Sequence, residues 1–147
     1  MLKKIFIILS LVYYFSFPIP LFASEESAIF AGGCFWCLEH DLEVLTGVID
    51  VKSGYSGGDL QQPTYKNHNG HQESVLVQFD TNKISYKELL RAYWRNVDPL
   101  DNNGQFCDKG ESYKPIIFTN NQDQINSAKL SLNSVSTELN LLPENIK

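Results

Sequence analysis

Cysteine is scarce in this chain, with three residues in 147, at positions 34, 37 and 107. An odd count excludes a framework in which every thiol is paired and leaves at least one thiol over to react. Basic residues are also few, 12 against 17 acidic, for a formal net charge of −5. A general nucleic-acid binder usually shows a basic field, so no nucleic-acid partner is expected. No internal repeat and no low-complexity stretch is found, and no apolar run reaches the roughly 20 residues that a membrane helix needs. What is present is ordinary core material. The chain is 43% hydrophobic and 12% aromatic, and its length suits one domain.

The N-terminus reads MLKKIFIILSLVYYFSFPIPLFASEE. Lys3 and Lys4 open it, an apolar run covers residues 5–17, Pro18 and Pro20 break that run, and Ala23 offers a small residue before a cut. This is the layout of a secretory signal peptide over residues 1–23. The mature domain is then expected over 24–147, exported to the periplasm or anchored in the membrane facing it. Disulfides can persist in such a compartment.

The periodicity of the rest predicts alternating strands and helices. Residues 27–33 (SAIFAGG) read as a strand entering a glycine turn. A helix follows from Cys34, with Phe35, Leu38, Leu42 and Leu45 on one side and Gly47 as its stop. Residues 48–58 begin as a strand and end in a glycine-rich turn, and 59–70, with Pro63, Asn67 and Asn69, read as a loop. In 73–80 Val75, Val77 and Phe79 alternate with Ser74, Leu76 and Gln78, which predicts a strand. Ser85 with Glu88 three residues later is a capping-box signature. It opens a helix with Tyr86, Leu89, Leu90, Tyr93, Trp94 and Val97 on its apolar stripe. Residues 98–114 look irregular and PIIFT looks like a strand. A last helix carries Ile125, Ala128, Leu132, Val135 and Leu139, with Pro143 as its stop. The order β-α-β, β-α-β, α predicts an α+β fold. In detail it is a ferredoxin-like two-layer sandwich (split βαβ) with an extra C-terminal helix.

The stretch AGGCFWCLEH, 31–40, carries the chemistry. A disulfide between Cys34 and Cys37 would close a very small loop and stabilise little. Cys34, Cys37, His68 and His71 together could form a tetrahedral zinc site, which would make the protein a zinc-binding structural module. A third reading makes Cys34 a nucleophile. It follows Gly32 and Gly33 at the expected start of a helix, where unpaired N–H groups and the helix dipole favour an anion. Cys37, one turn on, could reach it as a resolving thiol. The same features suit a general thiol–disulfide oxidoreductase.

GCFWC (33–37), GYSGG (54–58), PTY (63–65), GHQE (70–73) and QFCDKGESY (105–113), in that order, resemble the peptide methionine sulfoxide reductases of the A type. The resemblance implies thiol-dependent reduction of methionine-S-sulfoxide, protein-bound or free, and so repair of oxidised proteins. It implies Cys34 as nucleophile and Glu73 as the acid that protonates the sulfoxide oxygen. Tyr65 and Tyr113 become phenols bonded to that oxygen. Phe35 and Trp36 become the pocket for the S-methyl group, and Asp108 a carboxylate on the pocket's polar side. Because no cysteine follows Cys107, Cys37 is expected to resolve the Cys34 sulfenic acid, with Cys107 second. A thioredoxin-like reductant would recycle the disulfide. No cofactor and no metal is implied, and a monomer is expected. Relatives usually continue beyond LPENIK with a further strand and a tyrosine-rich tail, so the chain is expected to be a fragment, a truncated gene product or an unusually short member.

Overall fold

The structure is a computed structural model and describes residues 24–147. The signal-peptide segment expected over 1–23 lies outside the described residues. Among the described residues, six strands and three α-helices follow in chain order: β1 (Glu25–Ala31), α1 (Phe35–Glu43), β2 (Val48–Ser56), β3 (Gln72–Asp80), α2 (Tyr86–Arg95), β4 (Gly104–Gln105), β5 (Asp108–Lys109), β6 (Ile116–Phe118) and α3 (Gln122–Glu138). Short 3-10 turns cover Glu111–Tyr113 and Pro143–Asn145.

Four strands form one sheet in the order β2-β3-β1-β6, and each neighbouring pair is antiparallel. The fold is therefore mixed α+β. Alternation along β3 puts Val75, Val77 and Phe79 in the core and leaves Leu76 and Gln78 exposed. The register sets Val77 opposite Ala28 and Val51, and Val75 opposite Phe30 and Ser53. One face of the sheet thus carries an apolar patch, which α1 and α2 cover with Phe35, Leu38, Leu42, Leu89 and Leu90. Phe30 stacks on Tyr93 and Tyr86, with ring centroids 5.1 and 6.1 Å away, and so fixes α2 to β1.

The capping box holds at the start of α2. The Ser85 hydroxyl accepts from the Glu88 N–H at 3.3 Å, and the Glu88 carboxylate accepts from the Ser85 N–H at 2.8 Å. Three details differ from the sequence reading. The 98–114 segment is not wholly irregular, because β4 and β5 form a two-strand hairpin in it, with Gln105 opposite Asp108. Pairs this short carry no alternation to read. The last helix does not run to Pro143. It ends at Glu138 with Leu139 as its C-cap, and Asn140 turns the chain with φ +53°. The expected stripe on that helix is only partly buried, since Gln124 and Ser136 are its buried residues and Leu139 stands exposed.

Candidate active site

The site sits at one end of the sheet, where β1 runs out, β2 ends and β3 begins. The buried Tyr93 hydroxyl donates to the Ala31 carbonyl at 2.9 Å and anchors the end of β1. The chain then turns through Gly32 and Gly33. A Cβ on Gly32 would lie 2.6 Å from Val97 Cγ1, and one on Gly33, whose φ is +84°, would lie 2.8 Å from Gln105 Cβ. Only glycine fits both the left-handed backbone and this close approach. Gln105 in turn ties down the 98–110 loop. Its Oε1 accepts from the Asp98 N–H at 2.6 Å, and its Nε2 donates to the carbonyls of Asp98 at 3.0 Å and Gly104 at 2.8 Å. The double glycine therefore brings the β4–β5 hairpin against the residue that follows it, Cys34.

Cys34 is the N-cap of α1 and is partly exposed. Its carbonyl accepts from the Cys37 and Leu38 N–H groups at 3.1 and 3.2 Å, which closes the first helical turn. That turn places the Cys37 thiol within hydrogen-bonding reach of Cys34. The Cys37 thiol is held above its ordinary pKa, first by this bond, then by burial and by the charges of Cys34, Asp108 and Asp41. Cys37 thus stays a protonated partner beside the first thiol.

The N–H of the next residue, Phe35, donates to Glu73 Oε2 at 3.2 Å. A carboxyl from β3 therefore serves an open N-terminal group of α1 and stands one residue from the nucleophile position. Glu73 is only 3% exposed. Alternation explains this, because Glu73 shares the core face with Val75, Val77 and Phe79. Burial pushes its pKa up; the Phe35 N–H and His68 work against that, and Asp108 adds to it. A buried carboxyl with a raised pKa can carry a proton to a ligand.

Aromatic rings form the rest of the wall. Phe35 is buried below an exposed pair, Trp36 and Tyr65, whose rings stack at 5.6 Å and 19°. Phe35 lies 5.0 Å from Trp36 and 6.4 Å from Tyr65. Tyr113, on the 3-10 turn after β5, has its pKa raised by burial and by the charges of Glu73, Asp108, Tyr65 and Cys34, so it remains a donor. A cavity of about 400 Å³ beside Cys34 is lined also by Cys37, Asp41, Phe106, Cys107 and Asp108. All nine residues named from the sequence thus lie around one site. The larger groove, about 800 Å³ between α2 and α3, is lined by none of these nine.

The four-ligand zinc set is not assembled. Both ring nitrogens of His71 serve the 57–71 loop. Nε2 donates to the Leu60 carbonyl at 3.1 Å, and Nδ1 accepts from the Gly58 N–H at 3.3 Å. His68 donates through Nδ1 to the Thr64 carbonyl at 3.1 Å. Among the described residues no group of three or more His, Cys, Asp or Glu side chains could hold a metal ion.

Sequence reasoning missed Tyr55. It lies directly opposite Glu73 on β2, with its ring 5.6 Å from Phe35 and 4.8 Å from His68. It also missed the organising role of Gln105. The signal for Tyr55 was available in the period-two pattern of Val51, Ser53 and Tyr55.

The family model described as peptide methionine sulfoxide reductase matches residues 26–144. The chain belongs to this family. It is 54% identical over 97 residues to peptide methionine sulfoxide reductase MsrA 2 of Caulobacter vibrioides, an alignment covering 63% of this chain and 50% of that protein. It is 48% identical over 103 residues to peptide methionine sulfoxide reductase MsrA of Leuconostoc mesenteroides, covering 67% and 60%. The structure superposes on methionine sulfoxide reductase A of Corynebacterium diphtheriae with a TM-score of 0.73 at 26% identity, over 78% of this chain and 57% of the other. In these alignments the chain spans half to three-fifths of the length of its curated relatives. The peptide methionine sulfoxide reductase match takes in every element that builds the cysteine site.

Proposed function

We propose that this chain reduces methionine-S-sulfoxide, protein-bound or free, to methionine and so repairs oxidised proteins. The Cys34 thiolate attacks the sulfoxide sulfur while Glu73 delivers its proton to the oxygen. The oxygen passes to Cys34 as a sulfenic acid, methionine leaves, and Glu73 is left as a carboxylate. Trp36, Tyr65 and Phe35 form the slot for the S-methyl group. Tyr65 and Tyr113 donate to the oxygen, and Asp108 lines the polar side. Cys37 then condenses with the sulfenic acid to give a disulfide and water. A thioredoxin-like dithiol returns the pair to thiols. Cys107, on the rim of the same cavity, is the second candidate for the resolving role.

The observation that carries this reading is the 3.2 Å bond from Phe35 N–H to the buried Glu73 carboxyl. It brings a buried carboxyl and a thiol to one helix start, which supports the acid role of Glu73. The sheet order β2-β3-β1-β6 supports the finer description as a ferredoxin-like split βαβ sandwich with an added helix. The layout of residues 1–23 supports export to the periplasm or anchoring in the membrane facing it; the working unit in this reading is a monomer. The deciding experiment mixes reduced protein with a peptide carrying one sulfoxide epimer and follows methionine formation and thiol loss. We expect one methionine per chain from the S epimer and none from Cys34→Ser. Methionine formation by Cys34→Ser at the parent rate would remove Cys34 from the role.

A further inference from the structure

The Tyr55 hydroxyl is buried without a hydrogen-bond partner. An O–H taken from water and left unpaired costs about 1–3 kcal/mol, so its persistence here calls for a use. Three observations say where that use lies. Tyr55 and Glu73 are direct cross-strand partners, so their side chains leave the same face of the sheet as neighbours. The Tyr55 ring packs against Phe35 at 5.6 Å and stacks on His68 at 4.8 Å and 16°. Burial raises the pKa of the hydroxyl, and the neighbouring Glu73 carboxyl adds to that.

Glu73 changes its needs during the reaction proposed above. As a neutral acid it is served adequately by the Phe35 N–H. Once its proton has gone to the oxygen, a buried carboxylate remains, and such a group needs more donors than a neutral acid does. The other groups acting on it are Asp108 from β5, which opposes the charge, and His68 from the loop, which favours it. Tyr65 and Tyr113 are engaged with the ligand oxygen in the proposed reaction. Tyr55 is the neighbour whose donor is uncommitted.

We propose that Tyr55 is a positioning residue for Glu73: its hydroxyl donates to the carboxylate that forms when Glu73 gives up its proton. The inference rests on the proposed role of Glu73 as the acid. In this proposal the bond forms when Glu73 loses its proton, and reprotonation of Glu73 releases it.

The test is Tyr55→Phe, read first by NMR titration of carboxyl-labelled glutamate, with the Glu73 signal assigned from Glu73→Gln. Losing one donor to a charged group is expected to move the Glu73 midpoint up by about one pH unit. Single-turnover sulfoxide reduction should slow several-fold with KM unchanged, and its alkaline limb should move to higher pH in step with the midpoint. At a pH where Glu73 is protonated, Tyr55→Phe should melt no lower than the parent, because no existing bond is lost. Should the phenylalanine variant fail to fold, 3-fluorotyrosine placed at position 55 alone, a stronger donor, should move the midpoint down instead. A Glu73 midpoint that stays put in either variant overturns the inference. The titration needs no turnover, so the two readings separate. A moved midpoint in a protein that reduces no sulfoxide upholds the pairing and removes the proposed function. An unmoved midpoint in an active protein does the reverse.

Discussion

Glu73 is asked to keep a proton in a place that is poor for its charge. Burial raises its pKa above the ordinary carboxyl value, and the folded chain therefore binds that proton more tightly than the unfolded chain does. Stability from this group is complete below the unfolded carboxyl value and is lost as pH rises through the folded one. Glu73→Gln should accordingly leave the melting temperature unchanged near pH 4 and raise it at pH 8, since Gln carries no charge to bury and still accepts from Phe35 N–H. The same variant should slow single-turnover sulfoxide reduction by about 10²-fold or more, the usual size of general acid catalysis. An unchanged single-turnover rate would show that the proton comes from elsewhere. The thiols make a second residue-scale prediction. Cys37→Ser should yield one methionine per chain and then stall, with a sulfenic acid on Cys34 detectable by mass spectrometry after trapping. Full recycling in that variant would move the resolving role to Cys107. The cysteines, Phe35, Trp36, Glu73, Tyr65, Tyr113 and Asp108 were named through motif order alone. That strand alternation puts Glu73 on the core face with Val75 was open to reading and was not read. Tyr55 and Gln105 were not read, because their roles depend on cross-strand register and on the approach of a distant hairpin, and neither is a local property of the chain.

Elements with strong periodicity, a cap or a compact apolar run such as PIIFT were readable from the sequence. The capping box at Ser85 and Glu88 marked the start of α2 correctly because both reciprocal bonds are local. Ser85→Ala should cost about 1 kcal/mol of stability, measured by denaturant unfolding, with sulfoxide reduction by the folded protein unaffected. The β4–β5 hairpin stayed hidden because its pairing is two residues long and is held by Gln105 side-chain bonds. The turn between β1 and α1 makes the stronger test at this scale. Gly33→Ala puts a Cβ into a left-handed backbone, 2.8 Å from Gln105 Cβ. Backbone strain alone should cost about 1–3 kcal/mol. The clash also pushes the hairpin away from Cys34, so single-turnover activity should fall further than the lost stability accounts for. If activity per folded molecule stayed at the parent level, Gly33 would serve the fold and not the site.

Across the described residues apolar burial is uneven, and the cysteine site lies against the more buried part. β1 and β3 hold Ala28, Phe30, Val75, Val77 and Phe79, none of them exposed, under α1 and α2. The α3 helix is attached differently. Near its N-terminus Gln124 Nε2 donates to the Ser27 carbonyl at 2.8 Å, and further on Trp94 Nε1 donates to Ser131 Oγ at 2.9 Å. Its own buried side chains are polar, and a groove of about 800 Å³ is lined by residues of both α2 and α3. A helix with few buried apolar contacts opens at lower free energy than the core it rests on. Amides in residues 127–138 should therefore exchange with solvent well before those of Val75 and Val77 on β3. Trp94→Phe, which deletes the Ser131 bond while keeping a ring, should widen that gap and leave single-turnover sulfoxide reduction intact, because no site residue lies on α3. Hydrogen exchange with mass-spectrometric readout decides it. If α3 and β3 lose protection together in one global step, the helix is part of the cooperative core despite its polar contacts. Trp94→Phe should then lower the stability of the site as much as that of the helix.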